Sequence, residues 1–227
     1  VMQRDIPEVV IKRLPIYYRS LQQMAQMGKD VVSSQELAKS AGVTATQVRR
    51  DLSYFGEFGK QGKGYSVELL LSELRRILNL DRDWDVVLVG AGSLGRAVTR
   101  YPRLEQHGFH IRHVYDHNPN RINTRLNGLV VEDVSLMSEQ ISREGIRIAI
   151  IAVPPSSAQE VADELVRSGI KAILNYAPAT IQVPDDVRVY DIDPVAAMQS
   201  LTYYLEPYES RRKRKLSSAS DRIDITS

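Results

Sequence analysis

Val86-Val-Leu-Val89 runs straight into Gly90-Ala-Gly92-Ser-Leu-Gly95. A fully apolar run is what a parallel strand buried on both faces requires. The G-x-G-x-x-G pattern at its end is that of a dinucleotide-binding turn. The three glycines differ in what they contribute. Gly90 permits the tight turn, Gly92 lets backbone approach a pyrophosphate, and Gly95 allows close packing of helix on strand. A helix is predicted from Ala97 to about Tyr101, its N-terminal side offering unpaired N–H groups and a partial positive charge to an anion. A second strand, about Ile111 to Tyr115, ends in Asp116, roughly twenty residues past the last glycine, where such folds hold the adenosine ribose hydroxyls. The expected cofactor contacts are therefore Gly90, Ala91, Gly92, Ser93, Leu94, Gly95 and Asp116. The plainer alternative is a glycine-rich turn without a ligand.

Further strands are predicted at about 128–131, 146–153, 172–175 and 187–190, with helices at 136–144 and 156–168. Alternating strands and helices imply a mostly parallel sheet covered on both faces. Val153 and Pro154 follow the fourth strand, and Asn175, Tyr176 and Ala177 follow the fifth. Such sheets bind ligands at these strand ends, so all five residues join the candidate cofactor contacts, although each segment reads equally well as a plain turn.

A dehydrogenase needs an acid or base beside the nicotinamide. The four histidines, His107, His110, His113 and His117, cluster around the second strand, away from the fourth and fifth. They read as surface or edge residues and are badly spaced for a metal. The only lysine between 81 and 205 is Lys171, at the wrong end of the fifth strand. The site is equipped to bind a dinucleotide and poorly equipped to transform anything, so no catalytic residue and no metal is assigned. The rival is an NAD-dependent oxidoreductase with an accessory helical domain. A third reading, response to NADP, arises from Arg121 close to Asp116, but a carboxylate there opposes a 2′-phosphate.

The chain ahead of this domain has a different character. Ser33-Ser-Gln-Glu36 and Thr44-Ala-Thr-Gln47 are two capping boxes. Gly42 sits between them, where a helix ends in a left-handed residue. Ala38, Gly42 and Val48 have helix-turn-helix spacing. On the second helix, Val48, Leu52 and Phe55 face the core. Thr46, Gln47, Arg49, Arg50 and Tyr54 occupy the other face, where Gln and Arg suit base edges in a major groove. Four glycines between Gly56 and Gly64 exclude a helix. That segment reads as a β-hairpin wing with Lys60 and Lys63 at its basic tip. Helices are predicted at 7–27, with Pro15 as a candidate kink, and at 68–80, with Leu69, Leu70, Leu74, Ile77 and Leu78 on the apolar side. Residues 81–85 read as the linker. The bland alternative is a helical interaction domain with solvated lysines.

Charge supports the sharper reading. Residues 1–80 hold 12 Lys and Arg against 8 Asp and Glu, a net of +4, while residues 81–205 hold 12 against 16, a net of −4. A basic segment beside an acidic one suggests that the first meets a polyanion such as double-stranded DNA. The 227 residues contain no cysteine, which excludes disulfides and thiolate chemistry. No apolar run approaches the roughly 20 residues that span a bilayer, and no signal-peptide pattern opens the chain. A cytoplasmic protein without membrane or metal partners is expected.

Past Asp193, Pro194 suits the first turn of a helix. Ala197, Met198, Leu201 and Leu205 form an apolar stripe on it, for its own sheet or for a dimer contact. The expected organisation is a winged-helix DNA-binding domain (1–80), a Rossmann dinucleotide-binding domain (81–193), a dimerisation helix (194–206) and a disordered basic tail (207–227).

The chain closely resembles the Rex redox-sensing transcriptional repressors of bacteria over roughly residues 5–206. The resemblance rests on Val48-Arg-Arg-Asp-Leu-Ser-Tyr-Phe-Gly56, Gly62-Lys-Gly-Tyr65, Gly90-Ala-Gly-Ser-Leu-Gly95 and Ile173-Leu-Asn-Tyr-Ala-Pro178. It implies a homodimer on a palindromic operator, sensing the NADH/NAD⁺ balance, with the last helix exchanged between subunits. It further implies a switch at Arg19, Tyr101 and Asp193. Many relatives carry a bulky apolar residue after that aspartate, near the nicotinamide, where this chain has Pro194.

Overall fold

The computed structural model describes residues 6–60 and 64–205. They fall into two compact units, one ending at Asp83 and one beginning at Trp84.

The first unit contains helices α1 (Glu8–Gln26), α2 (Ser34–Ala41), α3 (Ala45–Ser53) and α4 (Val67–Ile77) and strands β1 (Val31–Val32), β2 (Gly59–Lys60) and β3 (Gly64–Ser66). Both capping boxes form. The Ser33 hydroxyl accepts the Glu36 N–H while the Glu36 carboxylate accepts the Ser33 N–H, and Thr44 and Gln47 repeat the exchange. Gly42 ends α2 at φ 69°, a left-handed turn that costs glycine little. The three strands form an antiparallel sheet in the order β1-β3-β2, so the wing is a hairpin completed by a third strand. Val10, Leu14, Tyr17 and Leu21 of α1, Leu37 of α2, Val48 and Leu52 of α3, and Leu70 and Leu74 of α4 are buried in this unit. Phe55 packs on that core half-buried. Leu69, expected inside, is 66 % exposed. α4 begins one residue early, at Val67, and Val67 enters the core in its place. Pro15 does not interrupt α1: the helix runs unbroken through it, with Pro15 on its exposed side.

The second unit is a seven-stranded sheet. Its strands are β4 (Trp84–Val89), β5 (Phe109–Asp116), β6 (Arg125–Leu126), β7 (Leu129–Asp133), β8 (Ile148–Ile151), β9 (Ala172–Asn175) and β10 (Arg188–Asp191). The order is β10-β9-β8-β4-β5-β7-β6, and only the β6–β7 pair is antiparallel. The six parallel strands, numbered along the chain, read 6-5-4-1-2-3, the doubly wound order of a Rossmann domain. The chain leaves β4 in one direction and later resumes at β8 in the other, so a crevice opens at the carboxyl ends of these two strands. Helices α5 (Ser93–Thr99), α6 (Arg103–Gln106), α7 (Met137–Glu144) and α8 (Pro155–Arg167) connect the strands, and α9 (Pro194–Leu205) follows the last.

Three expectations need correction. The helix after the glycine turn starts at Ser93 rather than Ala97, so Gly95 lies inside it. Trp84 and Asp85 are not linker, because they pair with Phe109 and His110 of β5. His113 is not a free edge residue. Its half-buried ring contacts Glu132 Oε1 at 2.7 Å and Glu144 Oε2 at 2.9 Å. Among the described residues no helix is long and apolar enough to cross a membrane, and no cluster of three or more His, Asp or Glu side chains could hold a metal. The tail beyond residue 205, Lys63 and the wing tip lie outside the described residues.

Candidate functional site

The glycine turn is built by close backbone approaches. Gly90 has φ +106°, and a Cβ on it would lie 2.3 Å from the Ala152 carbonyl oxygen. A Cβ on Gly95 would lie 1.9 Å from the Gly90 carbonyl oxygen, so only hydrogen lets α5 sit on the turn. Gly92 differs. It precedes α5 at φ −71°, and the nearest atom to an added Cβ is Arg121 Nη1 at 3.8 Å. The space above Gly92 is open on the side where an anion would meet the first N–H groups of α5. Ala91 is fully buried, whereas Ser93 and Leu94 are exposed at the start of α5.

Asp116 ends β5 and is 2 % exposed. Its carboxylate accepts the Ala91 N–H at 2.8 Å, the Asn118 N–H at 2.8 Å and Arg121 Nη1 at 3.1 Å. Burial pushes its pKa up, but these donors outweigh burial and hold it below the usual carboxylate value. The residue thus fastens the glycine turn to the second strand. Arg121, which sequence reasoning weighed only for NADP, is placed between Asp116 and Gly92.

Gly90, Asp116, Arg121, Val153 and Pro154 line one cavity of about 600 Å³ at the crevice, together with His117, Met137 and the α8 residues Glu160 and Glu164. This volume suits part of a dinucleotide. Asn175, Tyr176 and Ala177 do not line it. Asn175 is fully buried, donating Nδ2 to the Ala179 carbonyl and to Asp191 and accepting the Ala177 N–H, so its amide holds the turn after β9. Burial raises the Tyr176 phenol, and the nearby Tyr101 phenol adds to the effect. Tyr101 itself is exposed. Asp193 caps α9, accepting the Val195 N–H at 2.8 Å and the Ala196 N–H at 3.2 Å. Every residue of α9 is exposed, Met198, Leu201, Tyr204 and Leu205 included, so the stripe does not pack on its own sheet.

In the first unit Thr46, Gln47, Arg49 and Arg50 are exposed on α3, Tyr54 is half-buried at its end, and Arg19 is exposed on α1. Gln47 Oε1 accepts the Thr44 N–H and hydroxyl, so its amide oxygen is engaged in the cap. Arg49 donates to Ser34 Oγ at 2.9 Å and to Thr46 Oγ1 at 3.2 Å, tying α3 to the first turn of α2. Ser34 was not foreseen; its signal was its place as first residue of a capped helix. A cleft of about 990 Å³ opens between Ser34, Arg49 and the wing residues Phe58, Gly64 and Tyr65. Lys60 contributes backbone to the wing, pairing with Gly64.

Comparison with known proteins covers both units. Residues 5–53 match the family model described as a putative DNA-binding protein N-terminus, and residues 81–179 match the CoA binding domain. Over 199 residues the chain is 53% identical to the redox-sensing transcriptional repressor Rex of Roseiflexus sp. (strain RS-1), covering 88% of this chain and 90% of that protein. Over 203 residues it is 44% identical to Rex 1 of Thermotoga maritima, covering 89% and 97%. The crystal structure of RSP in complex with beta-NAD⁺ and operator DNA superposes with a TM-score of 0.86 at 39% identity, covering 92% of this chain and 97% of that one. RSP in complex with beta-NADH gives 0.81 at 37%, covering 92% and 98%.

Proposed function

The chain belongs to the Rex family of redox-sensing transcriptional repressors, and from that premise we propose how its residues share the work. It is an NADH-responsive, DNA-binding repressor that uses NADH and NAD⁺ as signals. The observation that carries this reading is the match over nine-tenths of the chain to a repressor crystallised with both NAD⁺ and operator DNA. As a DNA-binding repressor it works in the cytoplasm, beside the chromosome.

In the first unit, Thr46, Arg49 and Arg50 meet the operator from α3, with Gln47 and Tyr54 flanking them and Lys60 and Lys63 of the wing following the backbone. Arg50 is the residue most free to reach a guanine edge, because no bond among the described residues holds its guanidinium. Arg49, already tied to Ser34 at the start of α2, is better placed for a phosphate.

In the second unit, Gly90 to Gly95 receive the pyrophosphate and Asp116 the adenosine ribose. The open space above Gly92 and the cavity bounded by Asp116 fit such a ligand. The nicotinamide half crosses the crevice toward Val153, Pro154 and the 175–177 turn. NADH and NAD⁺ differ there by one positive charge, and packing against the apolar Val153 and Pro154 disfavours the charged ring through desolvation. That the relatives are named as transcriptional repressors supports a site that reads a redox state rather than one that performs turnover.

Two copies bind a palindromic operator as a homodimer, each inserting α9 into its partner. The exposed apolar stripe on α9 supports this, because such a surface is poorly tolerated in water when unpaired. Arg19, Tyr101 and Asp193 form the switch between states. A ligand shifts an equilibrium only by its differential affinity for the two states. A 100-fold discrimination therefore needs about 2.7 kcal/mol. By linkage, operator DNA must weaken NADH binding by the same factor. Titrating NADH with and without operator at fixed salt tests this. Identical affinities would overturn the proposal.

A further inference from the structure

Asp51 lies on α3, the helix that carries the candidate base-reading residues, yet it points inward. It is 1% exposed, the only buried charged side chain among the described residues of the first unit. α1 supplies its partners. Arg13 donates Nε to Asp51 Oδ2 at 2.6 Å and Nη2 to Oδ1 at 2.7 Å, a two-pronged contact, and the Tyr17 hydroxyl donates to Oδ2 at 2.6 Å. Arg13 and Tyr17 are one helical turn apart, so a single face of α1 presents both donors to a single carboxylate. Burial, reinforced by this contact, keeps the Tyr17 phenol protonated far above its usual range.

Holding α3 against the core does not by itself call for such an arrangement. Val48 and Leu52 already pack it, both fully buried. Replacing a buried ion pair by apolar side chains is often neutral or stabilising. Apolar attraction is also non-directional, so two aliphatic side chains one turn apart fix the depth of a helix better than its rotation. A planar guanidinium fork has the opposite property, since it fixes orientation. Rotation matters on this helix. Thr46 and Arg49 lie across the helix from Asp51 and Arg50 about a quarter-turn round from it, all three exposed, and a roll of about 20° moves a point 6 Å from the axis by about 2 Å. A shift of that size breaks a paired hydrogen bond to a base edge, while attraction to phosphates hardly changes.

We propose that Asp51, gripped by Arg13 and Tyr17, is a positioning residue for operator discrimination that fixes the roll of α3. The inference rests on the DNA-reading role proposed above.

The test uses the full chain, and as probe the duplex that the unmodified protein selects from a randomised pool. A scrambled duplex of equal length is measured at the same salt. The variant Arg13→Met/Tyr17→Phe/Asp51→Leu removes the whole cluster, leaves no orphaned polar atom and keeps a comparable total volume. It is expected to melt close to the unmodified protein and to bind scrambled duplex equally well. Its affinity for the selected duplex should fall about 10- to 100-fold, the discrimination carried by one or two base contacts. Retention of the selected-to-scrambled ratio overturns the proposal. Should the triple variant not fold, Arg13→Lys is read in the same way. It keeps the charge and removes the fork, so a lost ratio supports the proposal and a kept ratio overturns it. If the unmodified protein selects no duplex at all, the DNA-reading role itself fails, and this is seen before any variant is made.

Discussion

Gly92→Ala and Gly95→Ala add the same methyl group three residues apart and should have opposite consequences. At Gly92 the backbone is at φ −71° and ψ −167°, open to any residue, and the nearest atom to the new Cβ is 3.8 Å away. Alanine is a poorer helix cap than glycine by about 0.5–1 kcal/mol, and the reduced freedom of the unfolded chain offsets a similar amount. Stability should therefore stay within about 0.5 kcal/mol of the unmodified protein. The methyl does, however, occupy the space through which a pyrophosphate reaches the α5 N–H groups. Losing one or two charge-assisted hydrogen bonds, each about 1.5–3 kcal/mol, weakens NADH binding by at least about tenfold. At Gly95 the methyl would lie 1.9 Å from the Gly90 carbonyl oxygen. Helix and turn must separate by roughly 1.5 Å to restore ordinary contact, at a cost of about 1–3 kcal/mol or more. NADH titration by fluorescence, paired with thermal melts, separates the two. Gly92→Ala should melt normally and bind poorly, and Gly95→Ala should melt early. Unchanged NADH affinity in Gly92→Ala would refute the placement of the pyrophosphate on this turn.

Other outcomes can be stated more briefly. Burial opposes the charge on His113, but Glu144 and Glu132 outweigh it and raise its pKa above the ordinary 6.5. The stabilisation is complete below that value and is lost as pH rises through the folded-state value; His113→Gln should flatten the melting-temperature profile on this alkaline side, and an unchanged profile would count against the charged pairing. Met198→Glu with Leu201→Glu, on fully exposed α9, should leave monomer folding intact and reduce dimerisation in sedimentation; an undiminished dimer would exclude that helix from the interface. Arg50→Ala should cost about 1–3 kcal/mol of operator affinity and relax specificity at one base position in a selection experiment. Loss that is uniform across sequences would reassign Arg50 to a phosphate.

What the sequence made legible was largely local. Capping boxes join residues three apart, and Gly42 ends a helix by its own conformation, so both were readable without tertiary knowledge. The alternation of apolar runs and helices placed β4, β8 and β9 within a few residues. The misses have physical reasons. Gly95 was read as the close-packing glycine but placed ahead of the helix, whereas its lack of a side chain lets α5 begin at Ser93 over Gly90. β1 has only two residues and exists because Val31 and Val32 find Ser66 and Tyr65, 35 and 33 residues further along the chain. Trp84 and Asp85 looked like linker because their strand pairing depends on β5. At the site, Asp116 was legible from spacing, but its bonds to Ala91 and Arg121 were not. Gln47 could be read either as cap or as base contact, and geometry engages its amide oxygen in the cap. Asp51 was overlooked altogether, although a charged residue interrupting the apolar set Val48, Leu52 and Phe55 was the available clue.

The strand order also sets a timetable. The first unit ends in sequence at Asp83, whereas β4 lacks one neighbour until β8 emerges at Ile148, and the last strand, β10, arrives only at Arg188–Asp191. Translation at roughly 5–20 residues per second separates the two events by about 5–20 s. During that interval a nascent chain holds a completed DNA-reading unit and an unfinished sensor. Exposed strand edges at this stage are prone to mispairing. Ribosome-bound chains stalled near residue 130 should therefore resist protease in the first unit while being cleaved in the second.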